Sequence, residues 1–82
     1  MMETRVAIIS IIVENYDKID EFNALLHEYN EYIIGRMGVP YRKKNISVIS
    51  VAVDAPQDVI NALSGKLGRL DGISAKTLLS KV

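Results

Sequence analysis

One unit occurs twice in this chain. VAIISIIVE at residues 6–14 lies over ISVISVAVD at residues 46–54, which pairs Ile9 with Ile49, Ser10 with Ser50, Val13 with Val53 and Glu14 with Asp54. The match continues beyond the strands, where Asn23-Ala24-Leu25 falls on Asn61-Ala62-Leu63 after a two-residue change of register in the loop. β-Branched residues dominate both repeated segments, and apolar residues recur at helical spacing after each. Two copies are too few to stack as a solenoid, but they suit a fold made of two related strand-helix-strand halves.

The first half reads as a strand over residues 5–14, then a helix capped by Asp17 with Ile19, Phe22, Leu25, Leu26 and Tyr29 on its apolar stripe. A second strand spans residues 32–42, and a hairpin at 42–45 leads into a third strand over 46–53. Asp54 then offers a helix cap, Pro56 fits a first turn, and Val59, Ile60, Leu63 and Leu67 form the second stripe. Gly68 and Gly72 punctuate the exit before a last strand over 73–79. The order βαββαβ predicts an α+β, ferredoxin-like sandwich: a four-stranded antiparallel sheet with two helices on one face and the first and third strands central. Arg36 and Pro40 in the second strand, and Lys76 and Lys81 in or near the fourth, suit sheet edges. The whole chain, 1–82, reads as a single domain.

Composition removes several kinds of chemistry. The chain has no cysteine and one histidine, His27, so disulfides, thiolate metal sites and iron–sulfur ligation are excluded, and a transition-metal site or other cofactor is not expected. The apolar run from Val6 to Val13 is broken by Ser10 and too short to span a bilayer, and no small-residue cleavage site follows it. Neither membrane attachment nor export is expected, and the cytoplasm is the natural compartment. Ten basic and ten acidic residues cancel, leaving no overall field to draw the chain to nucleic acid. Locally the balance is uneven: residues 14–31 hold six acids and one lysine, whereas Arg36, Arg42, Lys43 and Lys44 stand together without an acid, two solvated faces of opposite sign.

The central strands do not alternate apolar with polar, as a sheet with one wet face should. One phase is Val6, Ile8, Ser10, Ile12 with Ile46, Val48, Ser50, Ala52; the other is Ala7, Ile9, Ile11, Val13 with Ser47, Ile49, Val51, Val53. Whichever phase meets the helices, the other leaves an apolar open face of the size that marks an interaction surface. A homo-oligomer, dimer or tetramer, formed through the sheet is therefore expected.

The stretch YIIGRMGVPYR, residues 32–42, supports two readings. As a ligand site, Gly35 and Gly38 admit a small anion to the backbone, Arg36 and Arg42 hold it bidentately, and Tyr41 lies beside it. As an edge, the glycines make a bulge or kink that matters for stability, and Arg42, Lys43 and Lys44 solvate a hairpin. His27 reads as a solvated histidine opposite the apolar stripe, and Glu28 and Glu31 as neighbours on an exposed acidic helix face. Ser10 and Ser50 read as interface packing, since a nucleophilic serine needs a base and a sharp turn. No catalytic residue is assigned. The absence of aromatic residues from the first and third strands argues against stacking of RNA bases on the sheet.

The tandem halves, the apolar central strands and the exit Leu67-Gly68-Arg69-Leu70-Asp71-Gly72-Ile73 resemble ACT-like regulatory domains, the class that includes the C-terminal domain of the nickel-responsive repressor. Closer still, His27-Glu28-Tyr29, Ile34-Gly35-Arg36-Met37-Gly38-Val39-Pro40-Tyr41-Arg42, Val53-Asp54-Ala55 and Leu63-Ser64-Gly65-Lys66-Leu67-Gly68 resemble the small iron-only hydrogenase system regulators of the Thermotoga type. The resemblance covers nearly the whole chain and implies a non-enzymatic regulatory or sensor module, with a small ligand bound between subunits. Two departures limit it. The nickel-responsive relatives bind metal through several histidines and a cysteine, which this chain lacks. Amino-acid-binding ACT domains favour a glycine in the turn after the first strand, where this chain has Asn15-Tyr16-Asp17-Lys18. With no ribbon-helix-helix or helix-turn-helix segment in the sequence, direct operator binding is not expected. The alternative is a small ferredoxin-like enzyme, but the acylphosphatase-type loop with its arginine and asparagine is missing.

Overall fold

Strand phase sets the layers of the computed structural model, which describes residues 3–81. The elements run β1 (Arg5–Val13), α1 (Ile19–Glu28), β2 (Ile33–Tyr41), β3 (Ile46–Ala55), α2 (Gln57–Gly68) and β4 (Ile73–Leu79), with short 3₁₀ turns at Tyr16–Lys18, Asn30–Tyr32 and Arg42–Lys44. The sheet has the order β2-β3-β1-β4 and every pairing is antiparallel. This is the expected α+β, ferredoxin-like arrangement with β1 and β3 central.

Both phases of the central strands are apolar, and the structure selects one. Ala7, Ile9, Ile11 and Val13 of β1, with Ile49, Val51, Val53 and Ala55 of β3, lie beneath the helices. They meet Phe22 and Leu26 from α1, Ile60, Leu63 and Leu67 from α2, and Ile73 from β4. Complete burial of each large aliphatic side chain is worth about 1.5–3 kcal/mol, so this layer holds the two helices to the sheet. Arg5 fastens one corner: its guanidinium donates to Gln57 Oε1 at 3.1 Å and to the Ser80 carbonyl at 2.9 Å.

Three expectations about helix ends need correction. Asp17 does not cap α1; the Asn15 side chain accepts from the Asp17 backbone N–H at 2.9 Å and opens the first 3₁₀ turn, while Lys18 precedes α1 without a side-chain cap. Asp54 stays in β3, opposite Val6, because the β1–β3 ladder continues to Arg5 and Ala55. The Pro56 carbonyl instead receives the Val59 and Ile60 amides, at 3.0 and 3.1 Å, as α2 begins. Glu31 lies beyond α1, in the second 3₁₀ turn, so it is not a helical neighbour of Glu28.

Gly72 is the position where backbone geometry requires glycine. Its φ is +77°, and an added Cβ would run into the Asn15 side chain. The close approach has a use: the Gly72 carbonyl accepts from the Glu14 and Asn15 amides, at 2.7 and 3.2 Å, tying the exit of β1 to the entry of β4.

Candidate functional site

The open face of the sheet is built by the phase that the helices reject. Across it, Val39 of β2, Val48 of β3 and Ile12 of β1 are successive cross-strand partners, and so are Ala52, Ile8 and Leu78 from β3, β1 and β4. Ile8, Ile12, Val39, Val48 and Leu78 are 41–70% exposed, and Met37 beside them is 68% exposed. Between these two rows runs a third, Met37, Ser50, Ser10 and Lys76, so the only charge in these three rows sits on the edge strand β4. Large aliphatic side chains in contiguous rows form the type of patch that soluble monomers seldom leave uncovered.

A β-bulge re-aims the second strand. Ile33 is opposite Val53, yet the next paired residue is Gly35, opposite Ala52, so Ile34 is the extra residue. Without that insertion Arg36 would face the open side; with it, Arg36 lies opposite Val51 and faces the helices. Gly35, Met37, Val39 and Tyr41 then share the open face, and Arg36, Gly38 and Pro40 the helix side. Residues 34–41 of β2 are exposed although they alternate between the two faces, because the helix layer does not extend over this edge.

Facing the helices brings Arg36 to a concavity of about 330 Å³, lined by Asn23, Leu26, His27, Asn30, Ile33, Gly35 and Arg36. Two basic groups and two carboxamides come together there, on a floor that includes buried Leu26 and half-buried Ile33, and no acid lines it. The expected grouping is therefore divided. Gly35 and Arg36 reach the concavity, whereas Gly38 and Tyr41 do not line it and Arg42 lies in the following 3₁₀ turn. Arg36 and Arg42 are six steps apart along extended chain, about 20 Å, too far for both to grasp one small anion within one chain.

The glycine expectation also changes. The bulge is present at Gly35, but a Cβ there would meet nothing within 4 Å, and one at Gly38 would make only an ordinary 3.5 Å contact with Ile49. Neither position needs glycine for steric reasons. His27 is exposed, as its helical position predicts, but its convergence with Arg36, Asn23 and Asn30 could be found only from the strand phase that the bulge sets.

On the other side of α1, Lys66 of α2 donates to the Tyr29 hydroxyl at 2.9 Å and lies 3.4 Å from the Glu28 carboxylate. The Tyr29 hydrogen bond, followed by the hydrogen bond and charge of Glu28, raises the Lys66 pKa above its ordinary value. Glu28 is thus a helix-to-helix ion-pair partner rather than half of a carboxylate pair. Ser10 and Ser50 are cross-strand partners on the open face. Among the described residues, no group of three or more His, Cys, Asp or Glu side chains is placed to hold a metal ion, and no helix is long and apolar enough to cross a membrane.

Residues 5–77 match the TM1266-like family model, provisionally described as an iron-only hydrogenase system regulator. Among solved structures, that of the uncharacterized protein TM1266 from Thermotoga maritima is similar at 40% identity and a TM-score of 0.92, over 96% of this chain and 100% of that one. The chain matches no curated protein.

Proposed function

The chain belongs to the TM1266-like family, provisionally described as iron-only hydrogenase system regulators, and from that premise we propose a non-enzymatic regulatory module that works as a homo-oligomer, assembled through the open face of its sheet. The observation that carries this reading is the set of aliphatic rows on that face, Val39-Val48-Ile12 and Ala52-Ile8-Leu78. A second copy of the chain suits the face because it is nearly symmetric about its own centre: repeat-equivalent Ser10 and Ser50 are partners there. A two-fold interface places one patch against itself, which such a surface supports. Lys76, on the edge strand, would lie at the rim, where a charge keeps its water.

The module would act in the cytoplasm as a dimer or tetramer, with Tyr41 and Arg42 near the boundary of the assembly. Regulation would then follow from what the assembly binds rather than from a reaction it performs. The test compares iron-only hydrogenase activity in cells of the source organism carrying the wild-type chain, no chain, or the double variant Ile8→Glu/Val48→Glu. The proposal expects the double variant to behave like the deletion; a variant that is monomeric yet regulates normally would overturn it.

A further inference from the structure

We propose that the concavity between α1 and the bulged end of β2 is a binding site for a small organic carboxylate, with Arg36 as its anchor. Three observations carry this. The bulge at Ile34 turns Arg36 away from the open face and toward α1, into a concavity that His27, Asn23 and Asn30 also line. No acidic residue lines the concavity, and the Arg36 side chain makes no hydrogen bond or ion pair among the described residues, so its fork of donors is uncommitted. Leu26 and Ile33 supply an apolar floor beside the polar groups.

That combination selects for a ligand with two parts. A guanidinium matches a carboxylate bidentately, and carboxamide and imidazole N–H groups can supply further donors around it. The apolar floor favours a short hydrocarbon body, which a bare inorganic anion lacks. A volume of about 330 Å³ accommodates a molecule of a few carbons. The site gives the regulatory reading a ligand and rests on that reading for its purpose. It is complete within one chain, however, so failure to bind would leave the assembly result unaffected.

The test is a titration of isotopically labelled protein with sodium butyrate, followed by backbone amide chemical shifts, with sodium chloride at matched ionic strength as control and inorganic phosphate as a second arm. Saturable shifts centred on His27, Asn30, Gly35 and Arg36 are expected with butyrate, and weaker binding with phosphate. Arg36→Gln should weaken butyrate binding at least tenfold without changing the melting temperature, Arg36→Lys should fall between it and wild type, and His27→Gln should weaken binding several-fold. Shifts that do not saturate, that chloride reproduces, or that persist unchanged in Arg36→Gln would overturn the proposal. Tighter binding of phosphate than of butyrate would overturn the carboxylate assignment.

Discussion

Ser10 lies directly opposite Ser50 across the β1–β3 ladder, and the two are also equivalent residues of the internal repeat. A repeat-equivalent pair can coincide with a cross-strand pair only where the approximate two-fold axis relating the halves passes between the strands. The axis therefore emerges at the centre of the open face. Around it lie Ile8 and Val48, which are repeat equivalents, and Ile12 and Ala52, which are another such pair.

This relationship separates two pairs of substitutions that sequence alone treats alike. Ile9 is fully buried and Ile49 nearly so, whereas Ile8 and Val48 are 41% and 48% exposed. Ile9→Glu/Ile49→Glu buries two carboxylates without partners and should abolish cooperative folding. Ile8→Glu/Val48→Glu should leave a folded chain whose thermal transition remains cooperative. Circular dichroism melting of both double variants checks the distinction.

A second prediction concerns glycine. Gly72→Ala combines a left-handed backbone with a collision at Asn15, and should cost about 2 kcal/mol or more. Gly35→Ala and Gly38→Ala meet only open space or ordinary contact and should remain within about 0.5 kcal/mol of wild type, or gain slightly. Urea denaturation midpoints of the three single variants decide it; a larger loss at Gly35 than at Gly72 would contradict the geometry.

Much of the architecture is legible in the residues because local signals agree: the last strand at 73–79 has the expected bounds, and the stripe of Ile60, Leu63 and Leu67 is buried as its spacing predicts. The inward phase of β1 is not legible, since Ile8 and Ile9 are equally apolar and only the three-dimensional path of the chain chooses between them. Nor is the cap at Asp54, where four possible ladder partners beyond Val51 extend β3 and outweigh a capping bond. The concavity is hidden for a related reason. Arg36 and His27 come from different elements, and the one-residue bulge at Ile34 decides which side of the sheet Arg36 takes.

Lys66 gives a pH dependence with a defined sign. Its pKa in the folded chain is raised, first by the Tyr29 hydroxyl and then by Glu28, above the ordinary value of about 10.5. The contribution to stability is thus fully present below that ordinary value and is lost as pH rises through the higher folded value. The Lys66 side chain is 42% exposed, so water and salt screen its partners and the effect should be small. Denaturation midpoints of wild type and Lys66→Met measured at pH 9 and at pH 11 should differ more at pH 9 than at pH 11; a gap that widens with alkalinity would contradict this sign.

The most direct test of the central claim is the solution mass of the wild-type chain at micromolar concentration, measured by light scattering coupled to size-exclusion chromatography. Assembly through the open face predicts at least twice the 9.1 kDa of one chain, with Ile8→Glu/Val48→Glu eluting as a folded species of single-chain mass. A wild-type mass of 9.1 kDa that does not change with concentration would contradict it.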